Sequence, residues 1–227
     1  MSTPLRLVIF DVDGTLVDSQ SDILAGFAQA FAHVGRPLPE PAQIMSIVGL
    51  SLDIAIARLV PDISEADCAA MVEAYKDAYV ALRESAPTQH SSPFYPGVKD
   101  VLTHLQAIPE ILLGVATGKS KRGLDKLIEG HGLTGMFVTQ QVSDFHPSKP
   151  HPSMIFQAMA DAGVEPAQTV MVGDTSYDMD MAAAAGVTGV GVSWGYHPQQ
   201  ALTAAQHIIH QFDELPTVLT QIWSVRK

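Results

Sequence analysis

Four short stretches hold the residues whose types and spacing could do chemistry. Asp11 and Asp13 stand two apart in Asp11-Val12-Asp13-Gly14-Thr15-Leu16-Val17-Asp18-Ser19, and Thr117-Gly118-Lys119 follows later in the chain. Lys149 sits in Ser148-Lys149-Pro150-His151-Pro152, and Asp174 and Asp178 share Gly173-Asp174-Thr175-Ser176-Tyr177-Asp178. A Mg²⁺ ion takes oxygen ligands, typically one or two carboxylates with phosphate oxygens and waters. A carboxylate can attack phosphorus and form an aspartyl phosphate, and a second carboxylate nearby can donate and recover a proton. A hydroxyl and an ammonium can hold phosphoryl oxygens as charge develops. Together these residue types point to phosphoryl transfer.

Such residues need elements that bring them together. The run Leu5–Phe10 is apolar and β-branched, then stops at Asp11, which reads as a buried strand of a parallel sheet. Ligands of open α/β sheets bind outside the carboxyl ends of the strands, where Asp11 and Asp13 would be delivered. From Pro96 onward the pattern alternates strand and helix: strands at Ile111–Val115, Met136–Thr139, Thr169–Val172 and Val187–Val192, with helices starting near Ser120, Pro152, Ser176 and Pro198. Ile208-Ile209 reads as an edge strand before a last helix from Glu214. This alternation predicts an α/β fold, a Rossmann-like parallel sheet with helices on both faces. Between them, Gln20 to Ser92 shows only helical spacing, with helices expected near Phe27–Val34, Pro41–Ile47, Leu52–Leu59 and Glu65–Glu84. Ser64 is read as the N-cap of the last, with Asp67 three residues on. The expected organisation is a core of residues 1–16 and 94–227, interrupted by an inserted all-helical domain of residues 17–93.

Composition narrows the partners. A net charge of −11 argues against nucleic acid or an anionic membrane as a general partner, though not against a small anion beside a bound cation. Cys68 is the single cysteine, so an intrachain disulfide is excluded and a reducing compartment fits. No apolar run approaches a membrane span, and the start reads as lacking a signal peptide; a cytoplasmic location is expected. Oligomeric state, monomer or dimer, is not legible.

The four stretches, in this order, resemble the motifs of the haloacid dehalogenase superfamily, and more narrowly its phosphoglycolate phosphatase-like branch with a helical cap. The resemblance implies a Mg²⁺-dependent phosphatase acting on a small phosphorylated metabolite. It makes Asp11 the nucleophile and Asp13 the general acid and then base. It places Mg²⁺ on the Asp11 carboxylate, the Asp13 backbone carbonyl and Asp174, with Asp178 an outer acidic partner. Thr117, Gly118 and Lys149 would bind the phosphoryl group. Gly118 departs from the pattern, since many relatives carry Asn there, leaving only its backbone amide. The cap loop Gly49-Leu50-Ser51 would set specificity.

Branches of the superfamily can be sorted on the same residues. Asp13 argues against halide expulsion, which leaves no alkoxide to protonate. Val48-Gly49-Leu50-Ser51-Leu52 lacks the cations of a mutase cap loop, which disfavours a sugar-phosphate mutase. A catalytically silent binding or regulatory protein that retains the fold is the alternative of another class. Lys76 could meet substrate only if it faces the site.

Blander roles compete at several positions. Thr117 could be a helix N-cap and Asp178 a first-turn acid favoured by the helix dipole. Asp18 and Ser19 read as caps of the first inserted helix, and Asp180 as a surface residue. His146 and His151 read as surface loop histidines, and Lys119, Lys121 and Arg122 as a solvated face or an anion-binding rim. Phe27, Phe31, Met71, Tyr75 and Tyr79 read as packing.

Overall fold

A computed structural model describes residues 4–85 and 88–224. Strands β1 (Arg6–Phe10), β2 (Ile111–Thr117), β3 (Thr139–Val142), β4 (Thr169–Gly173), β5 (Thr188–Val192) and β6 (His207–Ile209) form one parallel sheet in the order β3-β2-β1-β4-β5-β6. The first strand is therefore central, with Phe10 in register with Val115 on one side and Val172 on the other. The order in which strands are added to the sheet reverses at β1, so its carboxyl end opens the crevice where such sheets bind ligands.

Alternation within β1 divides the core. Val8 and Phe10 face one apolar cluster, Leu7 and Ile9 the other, and all four are fully buried. Burial of each such side chain is worth about 1.5–3 kcal/mol.

The helical segment comprises α1 (Gln20–His33), α2 (Pro41–Met45), α3 (Leu52–Leu59), α4 (Glu65–Ser85) and α5 (Thr88–Ser91). It has its own apolar cluster, built on Phe27, Phe31, Ile44, Ile56 and Met71. Ser64 Oγ accepts from the Asp67 amide at 3.0 Å, as the capping pattern predicts. The chain leaves and returns at one point: Val17 pairs antiparallel with Phe94, and the Asp18 amide donates to the Pro93 carbonyl at 2.9 Å. Helices α6 (Val98–Gln106), α7 (Lys121–Gly130) and α10 (Leu215–Ser224) cover the Val8/Phe10 face, while α8 (Ser153–Ala162) and α9 (Ser176–Ala184) cover the other. No described helix is long and apolar enough to cross a membrane.

One strand is displaced from its expected position. The apolar run Met136–Val138 precedes β3, which begins at Thr139 and carries Gln140 and Gln141. As an edge strand it does not need apolar side chains on both faces, and Gln141 instead bonds Asp161 and His146. Hydrophobicity reported the burial of Phe137, not strand pairing.

Candidate active site

The turn after β1 shows why Gly14 follows the second aspartate. The Asp11 amide donates to the Val172 carbonyl at 2.9 Å, prolonging the β1–β4 pairing, and the Gly14 amide closes on Val17 at 2.9 Å. Gly14 has φ +81°, and a Cβ there would lie 2.2 Å from Asp174 Oδ2. Only glycine allows both this backbone conformation and the approach of Asp174. Thr15 Oγ1 then donates to Asp174 Oδ1 at 2.9 Å, and the Tyr196 amide donates to Oδ2 at 2.7 Å.

The carboxyl ends of β4 and the loop before α8 supply the rest. Lys149 Nζ lies 2.9 Å from Asp11 Oδ1 and 2.6 Å from Asp178 Oδ1, with the lysine side chain completely buried. Asp178 is held in place by the start of α9, where its Oδ2 accepts from the Thr175 amide at 3.0 Å and the Thr175 hydroxyl caps the Asp178 amide in return. This reciprocal arrangement satisfies helix-end amides that would otherwise be orphaned.

Carboxylate oxygens of Asp11, Asp174 and Asp178 lie within 4.8 Å of one another. Three buried carboxylates face one ammonium, so with all three ionised the charges balance only with another cation. Burial pushes the Asp11 carboxyl up to about 7 despite the attraction of Lys149, and burial pushes Asp174 well above the usual range, with Asp178 and Asp11 adding repulsion. Burial alone would lower Lys149, but Asp11 and Asp178 hold it above its ordinary value. Neither Asp11 oxygen accepts an aligned hydrogen bond, despite the Lys149 ion pair. A hard divalent cation such as Mg²⁺ would supply both the missing charge and the missing partner. The residues present fit it.

Asp13 stands apart from this cluster. Ser19 Oγ donates to its Oδ1, which also lies 2.8 Å from Lys119 Nζ. Lys119 in turn donates to the Tyr79 hydroxyl at 3.0 Å. Two sequence-based expectations are thereby corrected. Ser19 makes no side-chain cap on α1 but touches Asp13, and Lys119 is no member of a solvated face. Lys121 pairs with Asp125, and Arg122 is exposed.

Three further residues lie away from their expected settings. His146 is half-buried between Gln141 Oε1 and Ser153 Oγ, each at 2.8 Å, rather than loose on the surface. Tyr75 and Tyr79 do more than pack: both line a cavity of about 720 Å³ that reaches from Asp11 and Asp13 into the helical segment.

Thr117 and Gly118 line that cavity as well, as do Gly49, Leu50 and Ser51. Thr117 is buried, and its hydroxyl accepts from the Lys119 amide at 3.2 Å, while Ser120 is the residue that caps α7. The Ser51 amide donates to Ser148 Oγ at 2.9 Å, fastening the loop beside Lys149. Thr15, Thr175, Tyr196 and Ser148 escaped the sequence reading. Tyr196 follows β5, so the strand-end rule that found the aspartates could have found it too.

The matched sequence decides the affiliation of this site. A model of the haloacid dehalogenase-like hydrolase family matches residues 8–192, which include every stretch that supplies the acidic cluster. The chain belongs to that family. A probable phosphatase, IndB, of Dickeya dadantii is 36% identical over 214 residues, covering 92% of this chain and 91% of the relative. A phosphoglycolate phosphatase of Vibrio vulnificus is 30% identical over 211 residues, covering 89% and 90%. Among solved structures, a predicted phosphoglycolate phosphatase from Haemophilus somnus superposes with a TM-score of 0.83 at 25% identity, over 96% of this chain and 99% of that one. A β-phosphoglucomutase from Clostridium difficile gives the same TM-score at 19% identity, over 98% of each chain, and so shares the fold. This member of the haloacid dehalogenase-like family is an enzyme, a phosphoric monoester hydrolase.

Proposed function

We propose that the protein hydrolyses a small phosphate monoester, as a phosphoglycolate phosphatase-like enzyme, through an aspartyl phosphate on Asp11 in the presence of Mg²⁺. The observation that carries this reading is Asp11 itself, buried and lining a substrate-sized cavity, with Lys149 beside it and neither carboxylate oxygen in an aligned hydrogen bond. Its oxygen attacks phosphorus, the bond to the leaving alcohol breaks, and Asp13 protonates the departing oxygen. Asp13 then takes a proton from water, the water oxygen attacks phosphorus, and the Asp11–phosphorus bond breaks to release phosphate. Lys149, Thr117 and the Gly118 amide hold the phosphoryl oxygens, and Lys149 also offsets the Asp11 and Asp178 charges. Asp11, the Asp13 carbonyl and Asp174 would hold the Mg²⁺, with Asp178 outside them; when bound, it neutralises phosphoryl charge as the transition state forms.

Residues 17–93 act as the cap, and its loop Gly49–Ser51 closes the cavity and excludes water. A cytoplasmic setting agrees with the lone Cys68. The test is phosphate release from a panel of metabolite monoesters, with Mg²⁺ and with chelator. Turnover that depends on Mg²⁺ is expected. No turnover of any ester would leave the silent binding protein as the better reading.

A further inference from the structure

The shape of the cavity says something about the alcohol that leaves. At about 720 Å³ it falls in the range of pockets that enclose drug-sized ligands. A two-carbon phosphoacid would occupy the phosphoryl end and leave the remainder unfilled. That remainder is walled by apolar side chains of the helical segment, among them Phe27, Leu50, Val72, Tyr75 and Val80. Phe27 and Tyr75 meet edge to face at 5.0 Å, and Tyr75 stacks on Tyr79 at 5.9 Å, so the aromatic wall is braced from within.

Charge is placed unfavourably for a short acid. The carboxylate of phosphoglycolate would lie next to the ester oxygen, and hence near Asp13. The lysine there is Lys119, already 2.8 Å from Asp13 and 3.0 Å from the Tyr79 hydroxyl. Lys76, Arg122 and Lys126 line the cavity too, but all three are exposed to water, and Lys76 and Lys126 are paired with Glu73 and Glu129. A carboxylate beside Asp13 would compete for one cation and repel its neighbour, whereas an apolar group would be desolvated at no such cost.

We propose that the preferred substrate is a phosphomonoester whose alcohol carries a ring system, seated against the apolar wall of α1 and α4, rather than a two-carbon phosphoacid. This rests on the phosphatase reading above and narrows its substrate.

The test compares kcat/KM for 2-phenylethyl phosphate, adenosine 5′-monophosphate and phosphoglycolate, all esters of primary alcohols, with Mg²⁺. At least one ring-bearing ester is expected to exceed phosphoglycolate by about tenfold or more, the scale on which hydrophobic pockets discriminate. Val72→Phe, which fills the apolar part, should then lower the ratio of ring-bearing ester to phosphoglycolate by about tenfold. Val80→Phe serves the same purpose should the first variant not fold. Phosphoglycolate as the best of the three, or a ratio unmoved by both variants, would overturn the proposal while leaving the phosphatase reading intact. Absence of turnover with all three and with the wider metabolite panel would remove the phosphatase reading, and this proposal with it.

Discussion

At Asp11, burial and function pull in opposite directions. Its carboxyl is desolvated and repelled by Asp178 and Asp13, and only Lys149 draws it toward the ionised form. Substitution by Asn removes the proposed nucleophile and the buried carboxylate charge together. Asp11→Asn should lower phosphate release by on the order of 10⁴-fold or more, the scale of loss of an essential nucleophile. In chelator near neutral pH, its thermal midpoint should equal or exceed that of the parent chain, because a buried charge without a cation has been removed. A midpoint well below the parent's would show that Asp11 supports the fold through Lys149 instead. Asp11, Asp13, Lys149 and Asp174 were legible because their types are costly to bury and they stand at strand ends or in a proline-rich loop. Ser19 and Lys119 were not: their meeting at Asp13 depends on side chains converging from segments a hundred residues apart in sequence.

At the scale of elements, the contact between the cap loop and the end of β2 is the most exacting. A Cβ at Gly118 would lie 2.7 Å from the Gly49 and Leu50 carbonyl oxygens, which are backbone and cannot rotate away. The missing side chain therefore makes room for the loop. Gly118→Asn should displace Gly49–Ser51 from its seat and lower kcat/KM by up to about 10²-fold, with the thermal midpoint nearly unchanged. Unaltered kcat/KM would mean that the loop does not need this seat for turnover. Most elements were readable from periodicity, including the Ser64 cap and the near-coincident starts of α7, α8 and α9. The edge strand β3 was misplaced because its backbone pairs while its glutamines bond sideways, a pattern that hydrophobicity does not register.

For the whole molecule, the acidic cluster links stability to pH and to metal. The Asp11 carboxyl rises from an ordinary 3.8 to about 7 in the folded state. The folded chain therefore holds more protons than the unfolded one between those values, and stability is lost as pH rises through about 7. In chelator, the thermal midpoint should fall between about pH 5 and pH 7.5, and Mg²⁺ should reverse most of that fall at the higher pH by binding the folded form alone. A midpoint that Mg²⁺ leaves unmoved at the higher pH would argue against a cation site on Asp11, Asp174 and Asp178.

The sequence by itself determined the fold class and the ordered acidic, hydroxyl and lysine stretches. These are written in local signals: apolar runs, their period, and polar residues placed where a strand must stop. Only the tertiary structure decided which of those residues meet. It paired Lys149 with Asp178 as well as Asp11, drew Lys119 and Ser19 onto Asp13, and opened a cavity with an apolar wall on α1 and α4. Side-chain convergence and cavity shape arise from the packing of distant segments, and no local pattern records them.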